Sequence, residues 1–160
     1  MNARAQRDIQ TAVAFLCTRV KKPDEDDWEK LKRVLKYLNG TKHMKLVLTV
    51  DTMSIIRWWV DSSYNTHWDS KGHTGAMMSL GKGAVISTSN KQKLNVNSST
   101  EGELVGSHEV MPDVLYTLYF IEAQGYTVDK NIMYQDNQST MRLQVNGRLS
   151  SGKKTKHIKS

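Results

Sequence analysis

The sequence is poor in cysteine, in proline and in long apolar runs. Its 160 residues include one cysteine, Cys17, and two prolines, Pro23 and Pro112. A single cysteine excludes a disulfide framework within the chain and a zinc site built on several thiolates. No apolar run approaches the roughly 20 residues that a membrane-spanning helix needs, and the polar residues after Met1 do not resemble a secretion signal. We therefore expect an intracellular protein, cytoplasmic or nuclear, without a membrane partner.

Charge is unevenly distributed along the chain, whose net charge is +7. Residues 1–50 contain 11 basic and 6 acidic residues, residues 51–150 contain 8 and 10, and residues 151–160 contain 4 and none. A slightly acidic centre thus lies between two basic flanks. Basic flanks suit a polyanion such as a nucleic acid, and a solvated basic surface explains the same charge equally well.

The spacing of apolar residues predicts a helical lead-in up to about residue 50. One helix covers 9–20 and is ended by Pro23. A second helix follows, and Gly40 is placed to terminate it in the left-handed conformation. Because this second helix has an apolar stripe, it requires a partner surface. The stripe consists of Trp28, Leu31, Leu35 and Leu38.

After Gly40 the pattern changes from helices to strands, starting with residues 44–50. Three strands in succession, followed by helices and a further strand, describe a mixed α/β sheet flanked by helices. The predicted strands cover 55–60, 74–80, 84–89 and 132–134, and the predicted helices cover 100–111, 114–123 and 138–145, with Pro112 separating the first two helices.

Acidic residues stand where these apolar elements begin or end. Asp61 and Asp136 each follow a predicted strand, and Glu101 and Glu103 lie in the first turn of a predicted helix. Such carboxylates can converge at one edge of a sheet, where their repulsion favours a cation. Oxygen ligands of this kind suit Mg²⁺ or Mn²⁺.

Each carboxylate also has an ordinary structural explanation. Asp61 fits an Asx turn, and Asp136 can cap the helix that follows it. Glu101 and Glu103 both have the spacing of a capping box with a hydroxyl residue three positions earlier. Taken singly, each residue favours its structural explanation, whereas the three positions together indicate a site.

Six segments resemble, in the same order, those of Ty1/copia-type retrotransposon polyproteins. Two resemble the end of the reverse transcriptase region: RDIQTAVAFL at 7–16 and WEKLKRVLKYLNGT at 28–41. Four resemble the ribonuclease H domain: VDSSY at 60–64, SSTEGELVG at 98–106, YQDNQST at 134–140 and KKTKHI at 153–158. The resemblance implies a helical tail of reverse transcriptase over 1–50 and a ribonuclease H-like domain over 51–160, incomplete at its C-terminus.

The resemblance also implies a fold, an activity and a set of catalytic residues. The fold is a five-stranded mixed sheet flanked by helices, and the activity is metal-dependent hydrolysis of the RNA strand of RNA–DNA hybrids during reverse transcription. Asp61, Glu103 and Asp136 match the catalytic and metal-binding carboxylates, with Asp61 between two Mg²⁺ or Mn²⁺ ions. Glu103 is preferred because a large apolar residue follows it and because Glu101 can close the capping box with Ser98.

The implied partners are an RNA–DNA hybrid and the remainder of the reverse transcriptase polyprotein. Asn137, Gln138 and Ser139 are candidate nucleic-acid contacts, although starting a helix explains them equally well. Ser63 and Lys159 stand where the family often has aspartates, and the last strand and helix of the family are absent. The alternative function is therefore a catalytically inactive, nucleic-acid-binding remnant of a mobile element.

Overall fold

The computed structural model describes residues 6–146 of the chain. These residues form a mixed α/β fold in which helices flank a four-stranded mixed sheet, and the predicted fold class is confirmed. Among residues 6–146 this sheet has four strands rather than the five that the resemblance implies, and a separate pair of short strands forms a two-stranded sheet. The KKTKHI segment and Lys159 lie outside the described residues. In chain order the elements are a 3₁₀ helix (Arg7–Ile9), α1 (Gln10–Arg19), α2 (Glu25–Thr41), β1 (Thr49–Val50), β2 (Ile55–Ser63), β3 (His73–Ser79), β4 (Gly81–Lys82), β5 (Ile86–Lys91), α3 (Ser99–Ala123), β6 (Lys130–Tyr134) and α4 (Gln138–Asn146).

The main sheet has the strand order β5-β3-β2-β6. β2 pairs with β3 and β3 with β5 in antiparallel register, whereas β2 and β6 are parallel. All four predicted strands are present, with bounds that differ from the prediction by at most three residues. Because β2 and β6 run in the same direction, the residues at their C-terminal ends lie at the same edge of the sheet.

α3 covers one face of the main sheet and forms the core with it. Alternate residues of a strand face opposite sides, so Trp58 is fully buried under α3 while Trp59 lies on the other face, 36% exposed and stacked on Tyr134. The core is made of side chains from β2, β3 and α3. They are Ile56, Trp58 and Val60 of β2, Ala76 and Met78 of β3, Leu80 directly after β3, and Val110, Val114 and Ile121 of α3.

α3 is one continuous helix, so the predicted break at Pro112 is wrong. Proline removes a helical hydrogen bond and crowds the preceding turn. Val110 and Val114 on either side of Pro112 both pack into the core, and this packing offsets the lost hydrogen bond. The helix ends at Ala123, and Gly125, two residues later, has a φ of +88°.

The start of α2 is stabilised by a capping box, in which the side chains of Asp24 and Asp27 each accept a hydrogen bond from the backbone N–H of the other. The predicted termination of this helix by a left-handed Gly40 is wrong, since Gly40 lies within the helix and Thr41 ends it. Most of the apolar stripe is not buried: Trp28, Leu31 and Leu35 are exposed, whereas Leu38 is half-buried. No helix among residues 6–146 is long and apolar enough to cross a membrane.

α1 packs on the second face of the sheet, along β5. Gln10 Nε2 donates a hydrogen bond to the Ser87 carbonyl at 3.0 Å, and Arg7 Nη1 donates to the Ser87 hydroxyl at 3.1 Å. The lead-in is therefore joined to the sheet by specific hydrogen bonds. The division of the chain at residue 50 stays a prediction.

Two buried histidines join the loop after β2 to the sheet. His67 Nε2 lies 3.1 Å from His73 Nδ1, and His73 Nε2 lies 2.7 Å from the Ser89 hydroxyl. The Ser89 hydroxyl is also 3.3 Å from that of Thr11 in α1, so the chain of hydrogen bonds ends in the lead-in. Neutral imidazoles fit this chain, because each ring then has one donor and one acceptor nitrogen.

Burial also favours the neutral form of this histidine pair. Desolvation is the main cause that lowers the pKa of both His67 and His73, and the nearby Lys91 lowers that of His67 further, against the opposing effect of Asp69. Protonation of either ring in the folded protein therefore places a positive charge in a buried position.

We predict that acid destabilises the protein through this pair. A histidine with a lower pKa in the folded chain contributes its full stabilisation above about pH 6.5, and that contribution is lost as pH falls through the folded pKa. Urea unfolding between pH 7.5 and 5 should show a falling free energy of unfolding in the wild type and a flatter dependence in the His67→Gln/His73→Gln double variant. Substitution of the exposed His43 by Gln should keep the wild-type dependence, and an unchanged slope in the double variant would contradict the prediction.

Candidate metal centre

Three carboxylates from separate elements meet at the shared edge of β2 and β6. One oxygen each from Asp61, Glu103 and Asp136 lies within 4.8 Å of the others. Asp61 lies near the end of β2, Glu103 in the first turns of α3 and Asp136 just after β6. The structure therefore brings together the three residues singled out from the sequence, while their role as metal ligands stays a prediction.

The cluster is open on one side and closed on the other. Asp61 and Asp136 are exposed, whereas Glu103 is 5% exposed. Parallel pairing of β2 with β6 explains the proximity of the two aspartates, because both strands end at this edge. Glu103 approaches from α3, which crosses the face of the sheet beneath them.

Glycine lets α3 approach the sheet closely. A Cβ atom built on Gly106 would lie 3.2–3.3 Å from side-chain atoms of Thr74 and Ser62, and one on Gly102 would lie 3.5 Å from the Ser62 hydroxyl. A side chain at Gly106 would crowd β2 and β3, whereas one at Gly102 would meet Ser62 at an ordinary van der Waals distance. The close approach places Glu103 Oε1 where it accepts a hydrogen bond from the Ser62 backbone N–H at 3.2 Å.

We predict opposite effects for two Gly→Ala substitutions in helices. Gly40→Ala in α2 has open space for the methyl group and should raise the free energy of unfolding by about 0.5–1 kcal/mol, because alanine restricts the unfolded chain. Gly106→Ala should lower it by roughly 1–2 kcal/mol, since overpacking outweighs the gain in helix propensity. Urea denaturation of both variants measures this contrast, and stabilisation by Gly106→Ala would refute the close-approach argument.

The environment of Glu103 opposes its charge. Burial is the main reason why the pKa of Glu103 lies above its ordinary value, and the carboxylates of Asp61 and Asp136 raise it further. Hydrogen bonds from Gln135 and from the Ser62 backbone act in the opposite direction. A divalent cation bound among the three carboxylates would remove this repulsion, and the all-oxygen donor set fits Mg²⁺ or Mn²⁺.

Glu101 stands apart from the cluster, although it is as deeply buried as Glu103. Its backbone N–H donates to the Ser98 hydroxyl at 3.2 Å, and its carboxylate accepts from the backbone N–H of Asn97 at 2.8 Å. Glu101 therefore serves the start of α3, as the capping argument predicts. The detail differs, because its carboxylate binds the N–H of Asn97 rather than that of Ser98.

The polar residues after Asp136 begin α4. Asn137 Oδ1 accepts a hydrogen bond from the Thr140 backbone N–H at 3.1 Å, so Asn137 caps this helix and Asp136 is not needed for that purpose. Gln138 and Ser139 are exposed in the first turn of α4. Their contact with nucleic acid stays a prediction.

Two features of the site have no counterpart in the sequence analysis. One is the role of Gln135, which belongs to the YQDNQST segment but is not singled out there, and which donates a hydrogen bond to Glu103. The other is a cavity of about 550 Å³ that runs from the two aspartates along the second face of the sheet. Its walls include Trp59, Met77 and Tyr134 of the sheet and Arg7 and Gln10 of the lead-in.

The chain resembles parts of much longer proteins. It is 28% identical, over 94% of its length, to the retrovirus-related Pol polyprotein from transposon TNT 1-94 of Nicotiana tabacum. It is also 28% identical, over 94% of its length, to the retrovirus-related Pol polyprotein from transposon RE2 of Arabidopsis thaliana. Its relatives thus include Pol polyproteins of plant transposons. The chain spans 11% and 10% of the lengths of these two polyproteins.

A third relative is shorter. The chain is 29% identical to the secreted RxLR effector protein 161 of Plasmopara viticola over 68% of its own length and 78% of that protein. No family model matches the chain. No solved structure matches it either.

We predict that Glu101 and Glu103 respond differently to the same substitution. Glu103→Gln should weaken Mn²⁺ binding at least about tenfold, equal to roughly 1.4 kcal/mol, and should stabilise the metal-free protein because it removes a buried charge from the cluster. Glu101→Gln should leave Mn²⁺ affinity unchanged and lower the free energy of unfolding by about 1 kcal/mol at most. Isothermal titration with Mn²⁺ and urea unfolding test both variants. Loss of Mn²⁺ affinity in Glu101→Gln alone would reverse the assignment.

Proposed function

We propose that residues 51–160 are the ribonuclease H segment of a retrotransposon polyprotein, which hydrolyses the RNA strand of RNA–DNA hybrids, and that residues 1–50 are the end of the preceding reverse transcriptase region. The observation that carries this proposal is the convergence of Asp61, Glu103 and Asp136 from three elements of a mixed sheet. Similarity to Pol polyproteins over nearly the whole chain supports it.

The chain contributes three carboxylates to the proposed reaction and no side-chain nucleophile. Two divalent cations, when bound, supply activated water and stabilise the charge of the leaving oxygen. Asp61 and Asp136 face solvent, so a phosphodiester can approach the cluster from their side. Glu103 anchors the site from below, where its hydrogen bonds with Ser62 and Gln135 limit its movement.

Recognition of the hybrid fits the polar start of α4 beside Asp136. The first backbone N–H groups of a helix and the exposed side chains of Gln138 and Ser139 suit phosphate oxygens. Asn137 holds the helix in place as its cap. Selection of RNA over DNA requires contact with the 2′-hydroxyl, which polar side chains at this position can make.

One observation favours the alternative of an inactive, nucleic-acid-binding remnant. Ser63, at the exposed end of β2, stands where the resemblance leads us to expect a second aspartate. A chain with fewer carboxylates holds the second cation less tightly. We therefore expect slow cleavage by the 160-residue chain.

We predict that Mg²⁺ or Mn²⁺ supports cleavage of the RNA strand of a labelled RNA–DNA hybrid, while the same RNA is not cut when single-stranded. Asp61→Asn should reduce the rate by about 100-fold or more, equal to roughly 3 kcal/mol. Hybrid affinity should remain and should weaken with added salt, because it depends on contacts with phosphates.

The matched control is Asp113→Asn, on the exposed side of α3, which should cleave at the wild-type rate. Cleavage that survives Asp61→Asn, or that ignores the DNA strand, would overturn the ribonuclease H proposal. Salt-dependent hybrid binding without any metal-dependent cleavage would identify the inactive remnant.

A further inference from the structure

Gln135 connects the end of β6 to α3. Its Nε2 donates a hydrogen bond to Glu103 Oε2 at 3.0 Å and lies 3.4 Å from the Ser107 hydroxyl. Its Oε1 accepts a hydrogen bond from the backbone N–H of Asn137 at 3.1 Å. Both ends of the amide group are thereby engaged, so the side chain has one orientation.

Glu103 depends on this contact for its own orientation. A glutamate has three rotatable side-chain bonds, and two hydrogen bonds on different oxygens determine the plane of its carboxylate. The Ser62 backbone N–H binds Oε1 and Gln135 binds Oε2. Each carboxylate oxygen has two lone pairs, so one hydrogen bond to each leaves acceptor capacity for a cation, and one oxygen of Glu103 lies within 4.8 Å of oxygens of Asp61 and Asp136.

The neutrality of the Gln135 donor suits a cation site. A lysine or arginine at this position would also donate a hydrogen bond to Glu103, but its positive charge would repel a cation a few ångströms away. An amide supplies the directed hydrogen bond without that repulsion. The segment after β6 therefore contributes two residues to the site. Asp136 is one of the three carboxylates, and Gln135 binds another of them, Glu103.

We infer that Gln135 is a positioning residue, which holds the Glu103 carboxylate in the orientation that binds a divalent cation. The inference rests on the proposed function of the carboxylate cluster. Hydrogen-bond partners of metal ligands typically change metal affinity by 10–100-fold when they are removed. Gln135 occupies that place for Glu103.

The test is Mn²⁺ titration of the full 160-residue chain without nucleic acid. Gln135→Met preserves length but removes the donor, and Gln135→Asn keeps the amide but is too short to reach Glu103. Each variant should bind Mn²⁺ about tenfold more weakly than wild type. Gln124→Met, at the exposed end of α3, is the matched control and should bind like wild type.

A double-mutant cycle separates positioning from a general effect on folding. If Gln135 acts through Glu103, Gln135→Met should change Mn²⁺ affinity less than about twofold in the Glu103→Gln background. The inference would be overturned if the losses of Mn²⁺ affinity caused by the two substitutions multiplied in the double variant. It would also be overturned if both Gln135 variants bound Mn²⁺ with wild-type affinity. Should Gln135→Met fail to unfold cooperatively in urea, Gln135→Asn decides the outcome.

The result is distinguishable from failure of the proposed function. Weak Mn²⁺ binding by the Gln135 variants in a chain that cuts no hybrid would support the positioning role and reject the nuclease. Unchanged Mn²⁺ binding by these variants in a chain whose cleavage requires Asp61 would reject the positioning role and support the nuclease. Absence of Mn²⁺ binding in the wild type would overturn both.

Discussion

The parallel pairing of β2 with β6 is the constraint on which the candidate site depends. It places the ends of two strands side by side, so that Asp61 and Asp136 share one edge of the sheet although 75 positions separate them in the sequence. An antiparallel pairing would send these carboxylates to opposite ends. The chain between these two strands passes through β3, β4 and β5 before α3 crosses the face of the sheet from β5 to β6, and Glu103 lies near the start of α3.

Close packing and electrostatics act against each other at this edge. Gly106 lets α3 approach β2 and β3 closely, which buries Glu103 among groups that disfavour its charge. The hydrogen bonds from Ser62 and Gln135 offset part of this cost, and a cation would offset more. The fold thus maintains an arrangement that is unfavourable without a cation, as is typical of sites in which stability and function compete.

Several large apolar side chains lie exposed on the surface of the molecule. Trp28, Leu31 and Leu35 of the α2 stripe are exposed, and so are Met44, Leu46, Val47 and Leu48 in the segment before β1. Exposed apolar side chains in such number often mark a contact with another part of a protein. The chain spans 11% and 10% of the lengths of the plant Pol polyproteins that it resembles.

Local pattern in the sequence was enough to predict the four strands, the mixed α/β class and acidic residues at element ends, since alternation and end positions are properties of neighbouring residues. The choice of Glu103 over Glu101 came from the family resemblance and the spacing of the capping box. Local pattern was misleading at Pro112, where packing of α3 on the core keeps the helix continuous. It was also misleading at Gly40, which stays within α2 instead of ending it. The role of Gln135 beside Glu103 could not be read from it, because 32 positions separate the two residues. Only the pairing of β6 with β2 and the packing of α3 on both bring that amide to that carboxylate, and hydrogen bonds between distant residues exist only once the sheet has formed.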